Sequence, residues 1–368
     1  MALTKILFYI RSLGGGGAER VIALLASGFA RRGVETIVAV EVEASENAGF
    51  LDPAVRLICL GSPHARATLR LARLIAEERP DISLSALGVR NLKHVIAAAI
   101  AGRLRRAVLS YHGHFAAEPR FLDRLSNRMA PVTTRLAARS VCVSDWMRRH
   151  VVEDLKGSAR RAVTIHNPVS VDGARPANGR AELMGREPLV LALGRLVPEK
   201  DFRLLISAFA RIDVPRAKLV IIGEGPQRQV LEEQARSLGI GERIELPGYS
   251  ALPWGYFARA RVCAISSRSE SFSNAAVEAL ALGLPVVSTD CGGPREIISR
   301  PEEGTLVPVG DEAALAHALE TALRAPGDPA PRVARAKLFS LDRALDAYER
   351  LFAEVISQDA SPVGGGRS

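Results

Sequence analysis

The chain has 368 residues, 48% of them hydrophobic and 24% charged, with a formal net charge of +9. That length is too great for one ordinary core and suits two domains of normal globular composition. The charge is uneven: residues 1–175 hold 26 Lys and Arg against 15 Asp and Glu (+11), and the remainder holds 23 against 25 (−2). Such a basic half is a solvated surface or one that attracts an anionic membrane or anionic substrate. Nucleic acid is disfavoured, because stretches such as Arg103-Leu104-Arg105-Arg106 lack interleaved aromatics and aromatics make up only 5% of the chain. Cys59, Cys142, Cys263 and Cys291 are scattered without a CxxC pair. This disfavours a disulfide framework or zinc site and fits a reducing compartment.

In chain order, short apolar runs alternate with amphipathic periods. Ile6–Ile10 is expected as a strand, too short an apolar run for a signal peptide. No segment approaches the roughly 18 apolar residues of a membrane helix, so the expectation is a cytoplasmic protein, soluble or peripheral on a membrane. Ala18–Arg31 is expected as a helix, Thr36–Val42 as a strand, Leu69–Glu78 as a helix and Ile82–Ser85 as a strand. Val95–Ala101 reads as helical, and Ala107–Ser110 and Val141–Val143 as strands. Residues 171–188, rich in Pro, Gly, Asn and Arg, have linker composition. A second series follows: strand Leu189–Leu193, helix Phe202–Ile212, strand Lys218–Ile222, helix Gln227–Leu238, strands Ile244–Leu246 and Val262–Ile265, helix Asn274–Leu282, strand Pro285–Ser288 and helix Glu312–Leu323. The last helix, Leu341–Ile356, is expected to pack back on the first domain, and residues 357–368 to form a disordered tail. The alternation predicts an α/β protein of two doubly wound, Rossmann-like domains, 1–170 and 189–340. Ligands are expected beyond the strand C-termini, in an interdomain cleft.

The most informative stretch is Ser266–Ile298, SSRSESFSNAAVEALALGLPVVSTDCGGPREII. Glu270 follows a strand, Ser271, Phe272 and Ser273 open a helix that begins at Asn274, and Glu278 sits inside it. The start of that helix is an anion site. At about 1.5 Å per residue, Glu278 lies roughly 7 Å in from Ser273. A diphosphate at the helix tip then has Glu270 on its sugar side and Glu278 on its nucleoside side, where each carboxylate can accept hydroxyl hydrogen bonds. Three further elements sit at strand ends: Gly194-Arg195-Leu196-Val197-Pro198-Glu199-Lys200, the loop Gly14-Gly15-Gly16-Gly17-Ala18-Glu19-Arg20, and Tyr111-His112-Gly113-His114. The glycine loop is neither a GxGxxG fingerprint nor a P-loop.

Together these segments resemble the retaining glycosyltransferases of family 4, which have the GT-B fold, over nearly the whole chain. The resemblance implies that Arg195 and Lys200 hold the donor diphosphate, that Gly16 and Gly17 face it, and that His112 rather than His114 lies near the transferred sugar. It further implies that the loops at Gly223 and Tyr249 line the base pocket, joined by Glu270, Ser271, Phe272, Ser273, Asn274 and Glu278 in holding the donor. It also implies a nucleotide-sugar donor, by family habit a UDP-sugar, and a glycan or lipid-linked acceptor. No Asp-x-Asp occurs, so no metal or other cofactor is expected, the two cations replacing a divalent ion electrostatically. The rival readings are an inverting transferase or epimerase, a nicotinamide oxidoreductase, and a non-catalytic basic surface binder. Trp146 with Arg148 and Arg149 suits either membrane contact or a buried ring beside exposed cations.

Overall fold

The computed structural model describes residues 3–43, 46–61, 64–113 and 120–360. The chain divides into two units, residues 1–168 with 341–368, and residues 169–340. The first unit runs β1 (Lys5–Ile10), α1 (Gly17–Arg31), β2 (Glu35–Val40), β3 (Arg56–Cys59), α2 (His64–Glu78), β4 (Ile82–Ala86), α3 (Gly88–Ile100), β5 (Ala107–Tyr111), α4 (Arg120–Leu136), β6 (Arg139–Cys142), α5 (Asp145–Arg149) and β7 (Ala162–Thr164). Among the described residues its sheet has seven strands in the order β3-β2-β1-β4-β5-β6-β7, every neighbouring pair parallel.

The second unit runs α6 (Arg180–Gly185), β8 (Leu189–Leu193), α7 (Phe202–Ala210), β9 (Lys218–Ile222), α8 (Arg228–Ser237), β10 (Ile244–Gly248), α9 (Trp254–Arg259), β11 (Val262–Ile265), α10 (Asn274–Ala281), β12 (Val286–Thr289), α11 (Pro294–Ile297), β13 (Gly304–Val307), α12 (Glu312–Arg324) and α13 (Ala330–Ala336). Its described sheet is again fully parallel, in the order β10-β9-β8-β11-β12-β13. The final helix, α14 (Leu341–Ala360), belongs to the first unit.

Parallel strands covered on both faces are enclosed along their whole length: β4, β5, β11 and β12 are buried at every residue, their serines and threonine included. On one face of the first sheet, Phe29 of α1 and Leu345, Tyr348 and Phe352 of α14 pack on Ile6, Phe8 and Val38. On the other, Leu71 and Ile75 of α2 and Ala97 of α3 pack on Leu7, Tyr9 and Ile37. In the second unit Phe202, Leu205 and Phe209 of α7, Leu231 of α8 and Leu315 and Leu319 of α12 pack on Val190, Leu219 and Val262.

Some elements differ from those read in the sequence. The strand expected over Thr36–Val42 stops at Val40, because the amides of Glu41 and Val42 both donate to the Arg11 carbonyl instead of continuing the ladder. Residues 171–188 are not a free linker. Ala177 N–H donates to Leu282 O at 3.1 Å, and Glu182 of α6 accepts from Asn178 N–H, Arg175 and Arg186. Polar side chains knit that segment where it has no apolar period. The helix expected to end at Ile356 continues to Ala360, so residues 357–360 are helical and not part of a disordered tail; the rest of that tail, 361–368, lies outside the described residues.

Candidate active site

In an open parallel sheet the loops diverge where the strand order reverses, and ligands bind beyond the strand C-termini at that point. In the second sheet this is the junction of β8 and β11. The loop after β8 carries Arg195 and Lys200; the loop after β11 carries Glu270. Four bonds tie the two loops. Arg268 N–H donates to Glu199 O at 2.8 Å, Ser266 Oγ donates to Lys200 O at 2.8 Å, Arg268 Nε donates to Asp201 Oδ2 at 2.7 Å, and Lys200 Nζ donates to Glu270 Oε1. Ser267 Oγ also donates to Glu270 Oε1, at 2.7 Å. The ammonium and the carboxylate assigned separate roles in the sequence therefore meet as a half-buried ion pair, while Arg195 is exposed beside them.

Asp201 makes this geometry work. It adopts a left-handed conformation at φ 44° and caps α7, its Oδ1 accepting from Leu204 N–H at 3.4 Å. Asp is one of the few residues that tolerate that conformation. The chain thus turns abruptly from Lys200 into the helix and leaves Lys200 at the strand edge.

The neighbouring loops follow in sheet order. Leu196 N–H donates to Glu224 O at 2.8 Å, and Gly223 N–H donates to Gly248 O at 2.9 Å. Gly223 has φ 151°, and a Cβ there would lie 1.8 Å from the Gly194 carbonyl oxygen, so only glycine lets these loops cross. Tyr249, next after β10, is 42% exposed. Past Glu270, the segment Ser271–Ser273 leads into α10. Phe272 is buried with its ring 5.5 Å from that of Phe339, so its main chain and not its ring is available to a ligand. Ser273 precedes α10 in extended conformation and does not cap it with its side chain. The amide groups that start at Asn274 open α10, and the start of a helix is where its dipole favours an anion. Glu278 lies in the second turn of α10, 5% exposed, with its charge acting on Cys263 of β11. Burial pushes the thiols of Cys142 and Cys291 up to about 12, so neither is a thiolate nucleophile at neutral pH.

In the first sheet the order reverses between β1 and β4. The glycine loop follows β1. Asn47 ties it down, its amide donating to Gly14 O and to Gly16 O at 3.3 Å. Gly16 precedes α1 in extended conformation, and a Cβ there would sit 2.1 Å from a Glu19 carboxylate oxygen. Gly17 is the first residue of α1. His112 follows β5, one strand beyond the reversal. It is 7% exposed, its Nε2 pairs with Ser110 Oγ at 2.9 Å, and burial lowers its pKa to about 4, so the ring is neutral. His114 lies outside the described residues. Trp146 is half-buried, stacked on His150 at 6.0 Å.

Sequence reasoning missed Asp201, Ser266, Ser267 and Asn47, which hold the assigned residues in place. It also missed a buried cluster at the β1/β2 edge. There Glu41 accepts from Tyr9 Oη, from Lys93 Nζ at 2.5 Å and from Arg90 at 3.4 Å, fixing the start of α3. A serine-rich strand end and a lone Glu after an apolar strand were the available signals.

Comparison with known proteins agrees with this fold. The family model "Glycosyl transferases group 1" matches residues 178–337 and "Glycosyltransferase Family 4" matches residues 15–172. The lipopolysaccharide core biosynthesis glycosyltransferase LpsE of Rhizobium meliloti is 28% identical, over 83% of this chain and 85% of its own. A Campylobacter jejuni α-1,4-N-acetyl-D-galactosaminyltransferase, named for an undecaprenol-diphosphate-linked substrate, is 26% identical over 96% of this chain and 99% of its own. An exopolysaccharide phosphotransferase of Streptomyces coelicolor is 33% identical, but this chain spans only 24% of its length. Among solved structures, Anabaena HepE in complex with UDP and glucose superposes with a TM-score of 0.81 at 21% identity, over 96% of this chain and 100% of that one. With both units matched by complementary family models and both sheets built as the fold requires, the chain belongs to the glycosyltransferases of family 4, a GT-B enzyme of two Rossmann-like domains.

Proposed function

We propose that the chain transfers a hexosyl group from a nucleoside diphosphate sugar, UDP being the favoured nucleotide, to a glycan or lipid-linked acceptor, with retention of anomeric configuration and without a metal ion. The observation that carries the donor assignment is the Lys200–Glu270 pair, at the strand reversal of the second unit and next to the opening of α10. A diphosphate bound at that helix start has Lys200 and Arg195 for its charge and Glu278 for the nucleoside hydroxyls. Glu270, on the sugar side, accepts sugar hydroxyls and holds Lys200 until the donor arrives. As the sugar–phosphate bond breaks, negative charge grows on the leaving diphosphate, and preorganised cations stabilise it most at that moment. The leaving phosphate then takes the acceptor's proton on the same face of the sugar.

The UDP preference is supported by HepE, described with UDP and glucose, and the lipid-linked acceptor by the Campylobacter relative's name. Metal independence is supported by the two cations and by the absence of Asp-x-Asp from the sequence. No helix among the described residues is long and apolar enough to cross a membrane. We assign the basic first unit to an anionic membrane surface on the cytoplasmic side, reached peripherally.

The test is a panel of nucleotide sugars read by released nucleotide in excess chelator, with calorimetry of UDP on Glu278→Ala. Turnover is expected to survive the chelator. The mutant is expected to lose roughly 1.5–3 kcal/mol of nucleotide affinity, one charged hydrogen-bond acceptor. A rate that collapses and returns with magnesium, or an unchanged UDP affinity, overturns the respective part.

A further inference from the structure

The ladder between β11 and β12 ends with Ile265 opposite Ser288, yet the chains leaving these two strands stay joined beyond it. Thr289, the last residue of β12 and fully buried, donates through Oγ1 to Ser267 O at 2.6 Å. Glu270 N–H donates to Cys291 O at 3.0 Å, and Gly293 N–H donates to Glu270 O at 2.7 Å, so that Glu270 and Gly292 pair as an isolated parallel bridge. Both main-chain groups of Glu270 are thus bonded to the loop after β12, while Ser267 and Lys200 hold its carboxylate. That loop is itself anchored. Asp290 N–H donates to Val307 O of β13 at 2.7 Å, and Glu296 N–H of α11 donates to Gly293 O at 2.9 Å.

Gly293 marks how close the approach is. Its backbone is helical, at φ −54° and ψ −38°, a conformation open to every residue, so dihedral freedom does not explain the glycine. Space does. A Cβ on Gly293 would lie 2.5 Å from Phe272 Cα, 2.6 Å from Phe272 N and 2.7 Å from Ser271 C. All three atoms are main chain, and none can turn aside as the end of a side chain would. Phe272 is also pinned at its other end, its buried ring packed edge-on against Phe339 at 5.5 Å. The peptide between Ser271 and Phe272 therefore rests directly on Gly293.

We infer that the loop after β12 is a brace that sets the position of Glu270 and of the Ser271–Phe272 peptide, with Thr289 and Gly293 as its positioning residues. The two act on different parts of the donor. Thr289 holds the main chain of Ser267, whose hydroxyl grips Glu270 on the sugar side. Gly293 seats the peptide that leads into α10, at the diphosphate. This division rests on the donor reading proposed above. Seating matters because misplacing a binding group by about 1 Å can cost about 10²-fold in rate.

The test uses the full-length protein. Hydrogen exchange without ligand reads the brace alone. The amides of Glu270 and Gly293 are expected to be protected. Thr289→Val, which keeps the shape of the residue and removes its hydroxyl, is expected to speed exchange across residues 266–273 and leave residues 189–193 unchanged. Calorimetry with uridine and with UDP, and steady-state turnover of UDP-glucose, read the function. Gly293→Ala is expected to bind uridine within about twofold of wild type, but to lose about tenfold in UDP affinity and about 10²-fold in kcat. Thr289→Val is expected to keep both affinities and to lose about tenfold in kcat, one hydrogen bond's worth. A merely structural defect would lower uridine and UDP affinity together. Rapid exchange of the Glu270 amide in the wild type overturns the brace. So does a Gly293→Ala protein with wild-type UDP affinity and kcat, or one that loses uridine and UDP affinity equally. A wild type that binds UDP no better than uridine instead overturns the donor reading, and the ligand-free exchange still decides the brace.

Discussion

Lys200 and Glu270 meet because each lies in a loop leaving the sheet on one side of the β8/β11 reversal, because Ser266 and Arg268 stitch those loops together, and because Ser267 holds Glu270 within its own loop. The pair is poised for exchange. Glu270 holds the ammonium at the strand edge without sealing it in, since the lysine side chain retains 28% of its exposure. In the proposed mechanism a cation already oriented loses little when the leaving group's charge develops, so its contribution would belong to the transition state more than to donor binding. Lys200→Ala and Arg195→Ala are each expected to lower kcat on the order of 10²–10³, with the donor KM moving much less. Steady-state kinetics on folded variants check this; near-normal kcat with only a raised KM would make the residue a binding contact. Lys200 and Glu270, which the structure brings together, were legible because each lies in a loop that follows a strand the apolar pattern marks. Asp201 and Ser267 were not, since a single Asp or Ser in a loop has no period, and only the fold reveals that one turns the chain and the other grips a carboxylate.

Elements were legible where burial is uniform. The runs Leu189–Leu193, Lys218–Ile222 and Val262–Ile265 are strands over those same residues, because, apart from Lys218 at an exposed strand end, no polar position blurs a strand covered on both faces. Arg56–Cys59 escaped notice because it is an edge strand without a buried residue. The helix Arg120–Leu136 escaped because it holds a proline, Pro131, in its interior and arginines stud its length. The helix α3 was read seven residues too late. Its first half is polar yet buried, with Arg90, Asn91, Lys93 and His94 all facing inward. His94 is fully enclosed between Ser85 Oγ at 2.9 Å and Ser83 Oγ at 2.7 Å, and burial lowers its pKa to about 3. In the unfolded chain a histidine titrates near 6.5. Between those values the unfolded state binds a proton that the folded state refuses, so stability is fully present above about pH 6.5 and falls as the pH drops. His112, at about 4, adds to the same trend. By pH 4.5 the two histidines together cost the fold on the order of 5 kcal/mol. Urea unfolding at pH 7, 6 and 5.5, above the range where carboxylates titrate strongly, is expected to show the start of that decline, and His94→Gln is expected to reduce it while lowering stability at pH 7. A stability that stays level across this range would mean that the buried rings admit a proton.

For the whole molecule, the observed division redistributes the charge. Moving the last helix to the first unit gives that unit 28 Lys and Arg against 19 Asp and Glu, +9, and leaves the second with 21 of each. The helix brings acids that pair locally, Asp346 with Arg32 and Asp359 with Arg106. The excess therefore concentrates elsewhere on the first unit. The helices α2 and α4 pack on either side of α3, and their outer faces expose Arg66, Arg73, Arg124 and Arg128 together with Leu69 and Phe121, the last 71% exposed. Arginines around an exposed aromatic ring suit an anionic bilayer, where each adds about 1 kcal/mol and the ring enters the interface. Co-sedimentation is expected to be stronger with vesicles containing anionic phospholipid than with neutral ones, and to weaken as salt shortens the Debye length. Arg124→Glu with Arg128→Glu reverses two charges on one exposed helix face without touching the core. This double variant is expected to lose on the order of tenfold or more in vesicle affinity while keeping its unfolding midpoint. Equal binding to neutral and anionic vesicles would remove the membrane from the account and leave the charge as a solvated surface.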